Sequence, residues 1–378
     1  MWVNRRQLLS LVAATAVPFG NFRPAWAQVA SSPNSQAVRS VFPGAQWAAA
    51  SPTDLGWSLQ GLSEAYRFFA SLPPASLAVV DRGQLVAAWG DIARRVKLSS
   101  IRKSLLSALY GKPVDEGVID LDATLESIGV DDSPPLTQSE RQATVRMLLQ
   151  ARSGVYHSYV GGTPYMRAQM PARGSHVPGS FWSYNNWDFN ALGGIYESRT
   201  GKTIGEAFAA EIAIPLQMQD FRSDDMYYLR SSENDDQFAI SKYPAYHFRL
   251  TARDMARFGY LFLRNGNWNG KQVVSSDWVR QSTASYSSTS GFGEGFGYGY
   301  LWWVNGYNLN EAAISARGAL GKYIVVIPGR DLVVAFANHT EFPDGPVANS
   351  AADIKKLPDV PIPAMATLLA LLTAAQRS

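Results

Sequence analysis

Strand-forming sequence lies near both ends of this 378-residue chain, and helical patterns occupy its middle. The apolar runs 75–80 and 85–89 flank the turn Asp81-Arg82-Gly83, which predicts a β-hairpin. Residues 297–304, 323–327 and 332–338 form β-rich runs separated by turn residues. The simplest packing therefore pairs the N-terminal hairpin with the C-terminal strands in one antiparallel sheet.

The helical middle, residues 99 to about 290, is then an insertion into that sheet. Its apolar residues recur at helical spacing in several segments. Ser58 is predicted to cap a helix before the hairpin, and residues 361–376 predict a closing Ala/Leu helix. We therefore expect an α/β chain of the α+β type, an antiparallel β-sheet flanked by helices with an inserted all-helical subdomain. Residues 53–378 form this domain, and a small-molecule site is expected in the cleft where sheet and insertion meet.

The first 27 residues are typical of a signal peptide. Arg5 and Arg6 precede an apolar stretch over 8–19, and Ala25-Trp26-Ala27 is an A-x-A cleavage pattern. We expect cleavage after Ala27, a loose lead-in over 28–52, and a periplasmic or secreted protein. The paired arginines favour the twin-arginine route. The alternative is an uncleaved N-terminal anchor, although the apolar stretch is short for a bilayer span.

Charge and cysteine content narrow the possible partners. Residues 1–27 hold three of the 34 basic residues and no acidic residue, so cleavage would leave 31 basic and 31 acidic residues. A neutral surface gives no reason to expect nucleic acid or an anionic membrane as a partner. Since the chain has no cysteine and its four histidines lack zinc-motif spacing, we expect no thiol chemistry, no metal and no cofactor. A small-molecule substrate is the expected partner.

The tetrapeptide Ser100-Ile101-Arg102-Lys103 is a candidate nucleophile and base. Ser100 begins an apolar helix, and Lys103 lies one turn later on the same face. A serine hydroxyl needs a base to become a nucleophile, and lysine can be that base only when neutral. Burial and the positive helix terminus both lower a lysine pKa. Such tetrapeptides often arise by chance, and the pattern alone favours a capped helix with a surface lysine.

Further segments, in order over about residues 55–340, resemble motifs of the penicillin-binding-protein and class C β-lactamase-related serine hydrolases. The segments that carry this resemblance are Ser100–Lys103, residues 148–157 (LLQARSGVYH), Tyr184-Asn185-Asn186, residues 192–197, residues 200–202, residues 251–261, residues 298–303 and residues 327–334. This family includes esterases, DD-peptidases, amide hydrolases and β-lactamases, and its fold is β-lactamase/transpeptidase-like. The joint occurrence of these motifs gives the tetrapeptide a weight that it lacks alone.

The resemblance implies a role for each matching residue. Ser100 would be acylated, Lys103 would accept its proton, and the Tyr184 phenol would relay a proton to the leaving group. Asn186 would hold Lys103 and the amide of the substrate. Backbone N–H groups of Ser100 and Ala319 would form the oxyanion hole.

The third family motif, Lys-Thr-Gly or His-x-Gly, is altered in this chain. The best register places Ala316-Arg317-Gly318 on it, so its basic residue is lost and Arg317 takes the hydroxyl position. The sequence therefore predicts an exported serine hydrolase of esters or amides, esterase-like with weak β-lactam turnover. The alternatives are a true β-lactamase or DD-peptidase, or a catalytically silent binding or sensor protein.

Overall fold

The computed structural model describes residues 41–162, 164–230, 241–289, 295–341 and 355–376. The predicted signal peptide and most of the lead-in lie outside these residues. The described helices are α1 (Leu59–Ala70), α2 (Ile101–Asp115), α3 (Val145–Leu149), α4 (Pro164–Ala168), α5 (Asn186–Thr200), α6 (Ile204–Phe208), α7 (Ala252–Leu263), α8 (Ser276–Ser282) and α9 (Ile362–Ala375). The described strands are β1 (Ala75–Asp81), β2 (Gln84–Trp89), β3 (Val96–Lys97), β4 (Met226–Leu229), β5 (Ala245–Leu250), β6 (Asn267–Trp268), β7 (Lys271–Gln272), β8 (Ser287–Ser288), β9 (Gly297–Tyr298), β10 (Trp303–Val304), β11 (Ile314–Gly318), β12 (Lys322–Ile327) and β13 (Leu332–Asn338).

One antiparallel sheet joins the two ends of the chain, as predicted. Its order is β2-β1-β13-β12-β11-β10-β9-β8, so the N-terminal hairpin pairs with the last strand. Ala75 lies opposite Asn338, and Asp81 lies opposite Leu332. Every residue of β1, β12 and β13 is buried, because helices cover both faces of the sheet centre. The predicted fold class is confirmed.

Helices at the two ends of the chain pack against each other beside this sheet. Ser58 caps α1 by accepting a hydrogen bond from Gly61 N, as its position before the apolar periodicity predicts. Gly61 approaches Ala375 of α9 so closely that a Cβ on Gly61 would lie 2.8 Å from the Ala375 Cβ. On α7, Gly259 leaves similar room for Val333 of the sheet.

The inserted region is mainly helical rather than all-helical as predicted, because β4 and β5 lie within it. They form a small sheet of order β3-β5-β4 with β3, which directly precedes the insertion. Lys97 in β3 lies opposite Arg249 in β5. This small sheet matters for function because β3 leads directly into α2. Leu98 continues the strand by donating from its N–H to Phe248 O at 2.9 Å.

The predicted run 297–304 is two short strands rather than one. Leu301 has a φ of 63°, which turns the chain between β9 and β10, and Trp303 pairs back onto Tyr298. The Leu301 N–H donates to Leu149 O at 3.1 Å, so the turn is fixed to the inserted region. Local apolar content could not reveal this turn, because leucine is not a residue that normally signals one.

No helix in the described parts of the chain combines the length and apolar character that crossing a bilayer needs.

Candidate active site

A tight turn between β3 and α2 presents Ser100 at the start of the helix. Ser99 has a φ of 51°, unusual for a residue with a side chain, and Ile101 N–H donates back to Leu98 O at 3.2 Å. Ser100 is the N-cap residue of α2, and its side chain makes no capping bond. The hydroxyl is therefore free to face Lys103 instead. Backbone strain of this kind is frequent beside functional groups.

Helix α2 is fixed by side-chain hydrogen bonds to the segment before β10. Ser104 Oγ donates to Leu301 O and Ser107 Oγ donates to Tyr300 O, both at 2.7 Å. Apart from Lys112, Val114 and Asp115, residues 101–115 are buried. This helix is therefore a rigid support for the first two site residues.

Lys103 lies against Ser100 in a buried environment. Its Nζ lies 2.6 Å from Ser100 Oγ, and Lys103 is 2% exposed. The same Nζ lies 4.7 Å from the ring centroid of Tyr184 and 4.8 Å from that of Phe189. Burial, and then the neighbouring Arg102 guanidinium, hold the pKa of Lys103 well below its ordinary value. A neutral amine at this distance can accept the Ser100 proton.

Tyr184 completes a group of three with Ser100 and Lys103. Burial raises the pKa of Tyr184 to about 12, and a hydrogen bond with the Ser100 hydroxyl opposes that rise. The phenol is therefore protonated near neutral pH. Because the pKa of Lys103 is lowered and that of Tyr184 is raised, Lys103 is suited to the role of base and Tyr184 to that of proton donor.

Asn186 does not make the contact expected of it. It is the first residue of α5, which Asn185 caps by accepting from Trp187 N. Asn186 is buried and its Oδ1 accepts no hydrogen bond, while the hydrogen bond of Lys103 Nζ is with Ser100. The expected Asn186–Lys103 hydrogen bond is thus not formed in this structure. One bond to Ser100 does not use up the donors of a lysine amine, so the contact is absent because of where folding places the Asn186 side chain.

The end of β11 approaches the turn that carries Ser100. Gly318 lies opposite Lys322 on β12, and a Cβ on Gly318 would lie 2.3 Å from Leu98 O. Only a glycine permits this approach, two residues before the nucleophile candidate. Ala319 follows immediately, in the turn where Leu320 and Gly321 have φ values of 60° and 74°. The close approach brings the backbone of the altered third motif to the predicted site.

Arg317 stacks on aromatic rings at the same place. Its Cζ lies 4.1 Å from the ring centroid of Trp303 and 4.6 Å from that of Phe296. The Trp303 ring is in turn 5.4 Å from Tyr184. The cation of the altered motif is thus held against flat apolar surfaces, whereas a threonine there would present a short hydroxyl.

The aromatic side chains around Lys103 and Arg317 were not predicted from the sequence, and no role was predicted for Arg102. Trp303 belongs to an apolar run that looks like ordinary core, and Phe189 lies between Asp188 and Asn190 on a helix, so spacing carries no signal for either ring. Arg102 did leave a signal, since a second basic residue beside Lys103 in the first turn of an apolar helix opposes the helix dipole.

The chain belongs to the β-lactamase family, whose model matches residues 64–356. Members of this family are serine hydrolases. An uncharacterized protein of Alkalihalophilus pseudofirmus is 23% identical over 288 residues, which cover 69% of this chain and 78% of that protein. The predicted resemblance to penicillin-binding-protein and β-lactamase-like serine hydrolases is confirmed.

Solved structures of this family share the fold. A proposed 6-aminohexanoate-dimer hydrolase from Bacillus anthracis aligns with a TM-score of 0.60 and 21% identity over 87% of each chain. The octameric penicillin-binding protein homologue from Pyrococcus abyssi aligns with a TM-score of 0.57 and 21% identity, over 83% of this chain and 76% of that chain. A β-lactamase from Mycobacterium bovis aligns with a TM-score of 0.53 and 21% identity, over 83% of this chain and 100% of that chain.

Proposed function

We propose that this protein hydrolyses ester or amide bonds through an acyl-enzyme on Ser100. The observation that carries the proposal is the 2.6 Å contact between Ser100 Oγ and the buried Lys103 Nζ. A neutral lysine at that distance is a base already in place. A catalytically silent binding protein would have no need to keep an amine buried beside a hydroxyl.

The reaction that these groups support has two halves. Lys103 takes the Ser100 proton as the hydroxyl oxygen bonds to the carbonyl carbon, and the carbonyl oxygen becomes an oxyanion. That oxyanion would accept hydrogen bonds from the backbone N–H groups of Ser100 and Ala319. Tyr184 then donates a proton to the leaving alkoxide or amine, which departs. Water hydrolyses the ester bond to Ser100 in the second half.

Asn186 has a separate part in this proposal. Its buried Oδ1 accepts no hydrogen bond, so a substrate amide N–H is a suitable donor to it. The resemblance in fold to a proposed 6-aminohexanoate-dimer hydrolase is consistent with amide substrates. Esters would not use this acceptor, so amides should depend on Asn186 more than esters do.

Small activated esters should be far better substrates than penicillins or cephalosporins. The third motif of β-lactam-turning relatives supplies a hydroxyl and a cation for the substrate carboxylate, and carboxylates are held best by fixed charge-assisted donors. Here Ala316 replaces the lysine, and the Arg317 guanidinium stacks on Trp303. The oxyanion hole uses backbone groups only, so acylation itself does not need those side chains.

The experiment is covalent labelling followed by kinetics on one preparation of protein. Purified protein is incubated with a fluorophosphonate, and the adduct is mapped by mass spectrometry in the wild type, in Ser100→Ala and in Ser104→Ala. The Ser104 variant is the matched control, because this buried serine of the same helix donates to Leu301 O instead. We expect labelling on Ser100 in the wild type and in Ser104→Ala, and none in Ser100→Ala.

Two results would contradict the proposal. Labelling of another residue, or unchanged labelling in Ser100→Ala, would remove Ser100 from the chemistry. A kcat/KM for nitrocefin ten times that for a short-chain p-nitrophenyl ester, about 1.4 kcal/mol in transition-state stabilisation, would make the protein a β-lactamase.

A further inference from the structure

Arg102 lies inside the Ser100–Lys103 tetrapeptide in a position that folding alone does not favour. The side chain is 2% exposed, yet it carries a charge in the first turn of α2, where the helix dipole disfavours cations. Its Nη1 is buried with no hydrogen-bond partner. None of the groups that act on its pKa, among the described residues, is a carboxylate. A buried cation without a counter-ion reduces stability, so packing does not explain an arginine at this position.

The contacts of Arg102 fix it beside Lys103. Arg102 Nη2 donates to Asn190 Oδ1 at 2.8 Å, and its Cζ lies 4.2 Å from the ring centroid of Tyr246. Lys103 packs over Phe189, the residue that precedes Asn190 on α5. Consecutive basic residues of α2 are therefore held by consecutive residues of α5. Since a guanidinium stays protonated in proteins, a permanent positive charge adjoins the Lys103 amine.

We propose that Arg102 is a positioning residue whose fixed charge keeps the Lys103 amine unprotonated, so that Lys103 can take the proton of Ser100. This inference rests on the proposed Ser100–Lys103 chemistry and adds an electrostatic partner to it. The buried location strengthens the repulsion between Arg102 and the protonated form of Lys103, because salt and water screen that repulsion little.

Four other titratable groups around Lys103, namely Tyr184, Asp188, Tyr246 and His247, have pKa values shifted in the direction that favours their uncharged forms. They come from the start of α5 and from β5, and burial is the main cause of each shift. Burial raises the pKa of Tyr184 to about 12, raises those of Asp188 and Tyr246 and lowers that of His247. On β11, Arg317 stacks on Trp303 and acts on Tyr184. Burial and then Arg102 are the two causes that lower the pKa of Lys103.

The test is the pH dependence of catalysis in two variants that change the charge differently. Arg102→Gln removes the charge, while its amide can still donate to Asn190 Oδ1. Asn190→Asp keeps Arg102 and places a carboxylate beside it. In both variants Lys103 should keep its proton to a higher pH. We expect the acid limb of kcat/KM for p-nitrophenyl acetate to move up by about one pH unit, which is about tenfold lower activity on that limb.

The rate at high pH separates this role from a structural one. Once Lys103 is deprotonated, both variants should regain most of the wild-type rate, whereas a packing defect would lower the rate equally at every pH. Arg257→Gln is the matched control. Arg257 is equally buried, on α7, and donates to Leu216 O at 2.8 Å. Arg257→Gln should be less stable than the wild type, while the acid limb of its kcat/KM keeps the wild-type midpoint pH.

Each outcome decides one claim. An unmoved midpoint in Arg102→Gln and in Asn190→Asp, with folded protein by circular dichroism, overturns the role of Arg102 while leaving Ser100 in place. If Arg102→Gln does not fold, the Asn190→Asp profile decides alone, since that exchange keeps the side-chain volume and removes one hydrogen bond, from Asn190 Nδ2 to Val160 O. Wild-type activity in Ser100→Ala would instead remove the proposed function, whatever the midpoints show.

Discussion

Gly318 and Leu98 are in such close contact that a Cβ on Gly318 would lie 2.3 Å from the Leu98 carbonyl oxygen. Leu98 belongs to the turn that presents Ser100, and Gly318 precedes Ala319. The contact therefore sets the distance between the nucleophile candidate and the backbone proposed for the oxyanion hole.

Gly318→Ala should separate these two backbones and damage catalysis. Real Cβ atoms are not found 2.3 Å from another heavy atom, so β11 or the turn must shift. A shift of about 1 Å in a catalytic group can lower the rate about 100-fold. We expect a loss of that order in kcat/KM for p-nitrophenyl acetate, measured on folded protein.

Gly205→Ala is the control for that substitution. A Cβ on Gly205 would lie 3.5 Å from Met226 Sδ, an ordinary contact, and Gly205 is within α6. Alanine should keep full activity there and stabilise the helix by up to about 1 kcal/mol. Equal activity in the two variants would argue against an oxyanion hole at Ala319.

Lys103→Met should abolish acylation and stabilise the protein. The pKa of Lys103 is lowered on folding, so the unfolded state holds this proton more tightly. Lys103 therefore lowers the free energy of unfolding most at low pH. This effect disappears as the pH rises towards the pKa that Lys103 has in the unfolded chain. Replacing a buried ionisable group by an apolar one can add about 1–4 kcal/mol to the free energy of unfolding. Thermal melts at pH 7, with fluorophosphonate labelling, measure both effects.

Lys103→Arg separates charge from basicity. Arginine keeps a cation beside Ser100 but stays protonated, so it cannot accept the hydroxyl proton. Labelling should therefore be lost here too. Near-normal turnover in Lys103→Arg would make Lys103 a structural residue.

Tyr184→Phe should affect substrates according to their leaving groups. With its pKa raised to about 12, the phenol keeps its proton near neutral pH and can donate it. p-Nitrophenolate leaves without protonation, whereas an alkoxide or an amine needs a proton. We expect a loss of about 100-fold or more for ethyl esters and amides, and a smaller loss for p-nitrophenyl esters. An equal loss for both substrates would indicate a packing role for the ring instead.

Export is predicted from residues 1–27 alone. We expect N-terminal sequencing of protein from the periplasm or medium to begin at Gln28. Replacing Arg5-Arg6 with Lys-Lys should retain the precursor in the cytoplasm if the twin-arginine route is used. Normal export of that variant would point to the general secretory route.

The sequence determined the elements whose signals are local. The β1–β2 hairpin follows from two apolar runs around Asp81-Arg82-Gly83, and α1 begins where Ser58 predicts. Helical spacing placed Ser100 and Lys103 on one face, and their side chains meet at 2.6 Å. The order of the motifs also predicted the family. Each of these features depends on residues within about one turn or on the order of segments along the chain.

The tertiary structure decided what depends on contacts between distant segments. Only the packing of α5 and β5 around α2 buries Lys103 and fixes Arg102 between Asn190 and Tyr246. Only the approach of β11 to Leu98 shows why residue 318 is glycine, and only the aromatic surface shows where the Arg317 cation lies. The Asn186–Lys103 hydrogen bond that the resemblance implies is not formed in this structure, and it too depends on contacts between distant segments. A hydrogen bond between side chains depends on competing partners, and those are known only when the whole chain is folded.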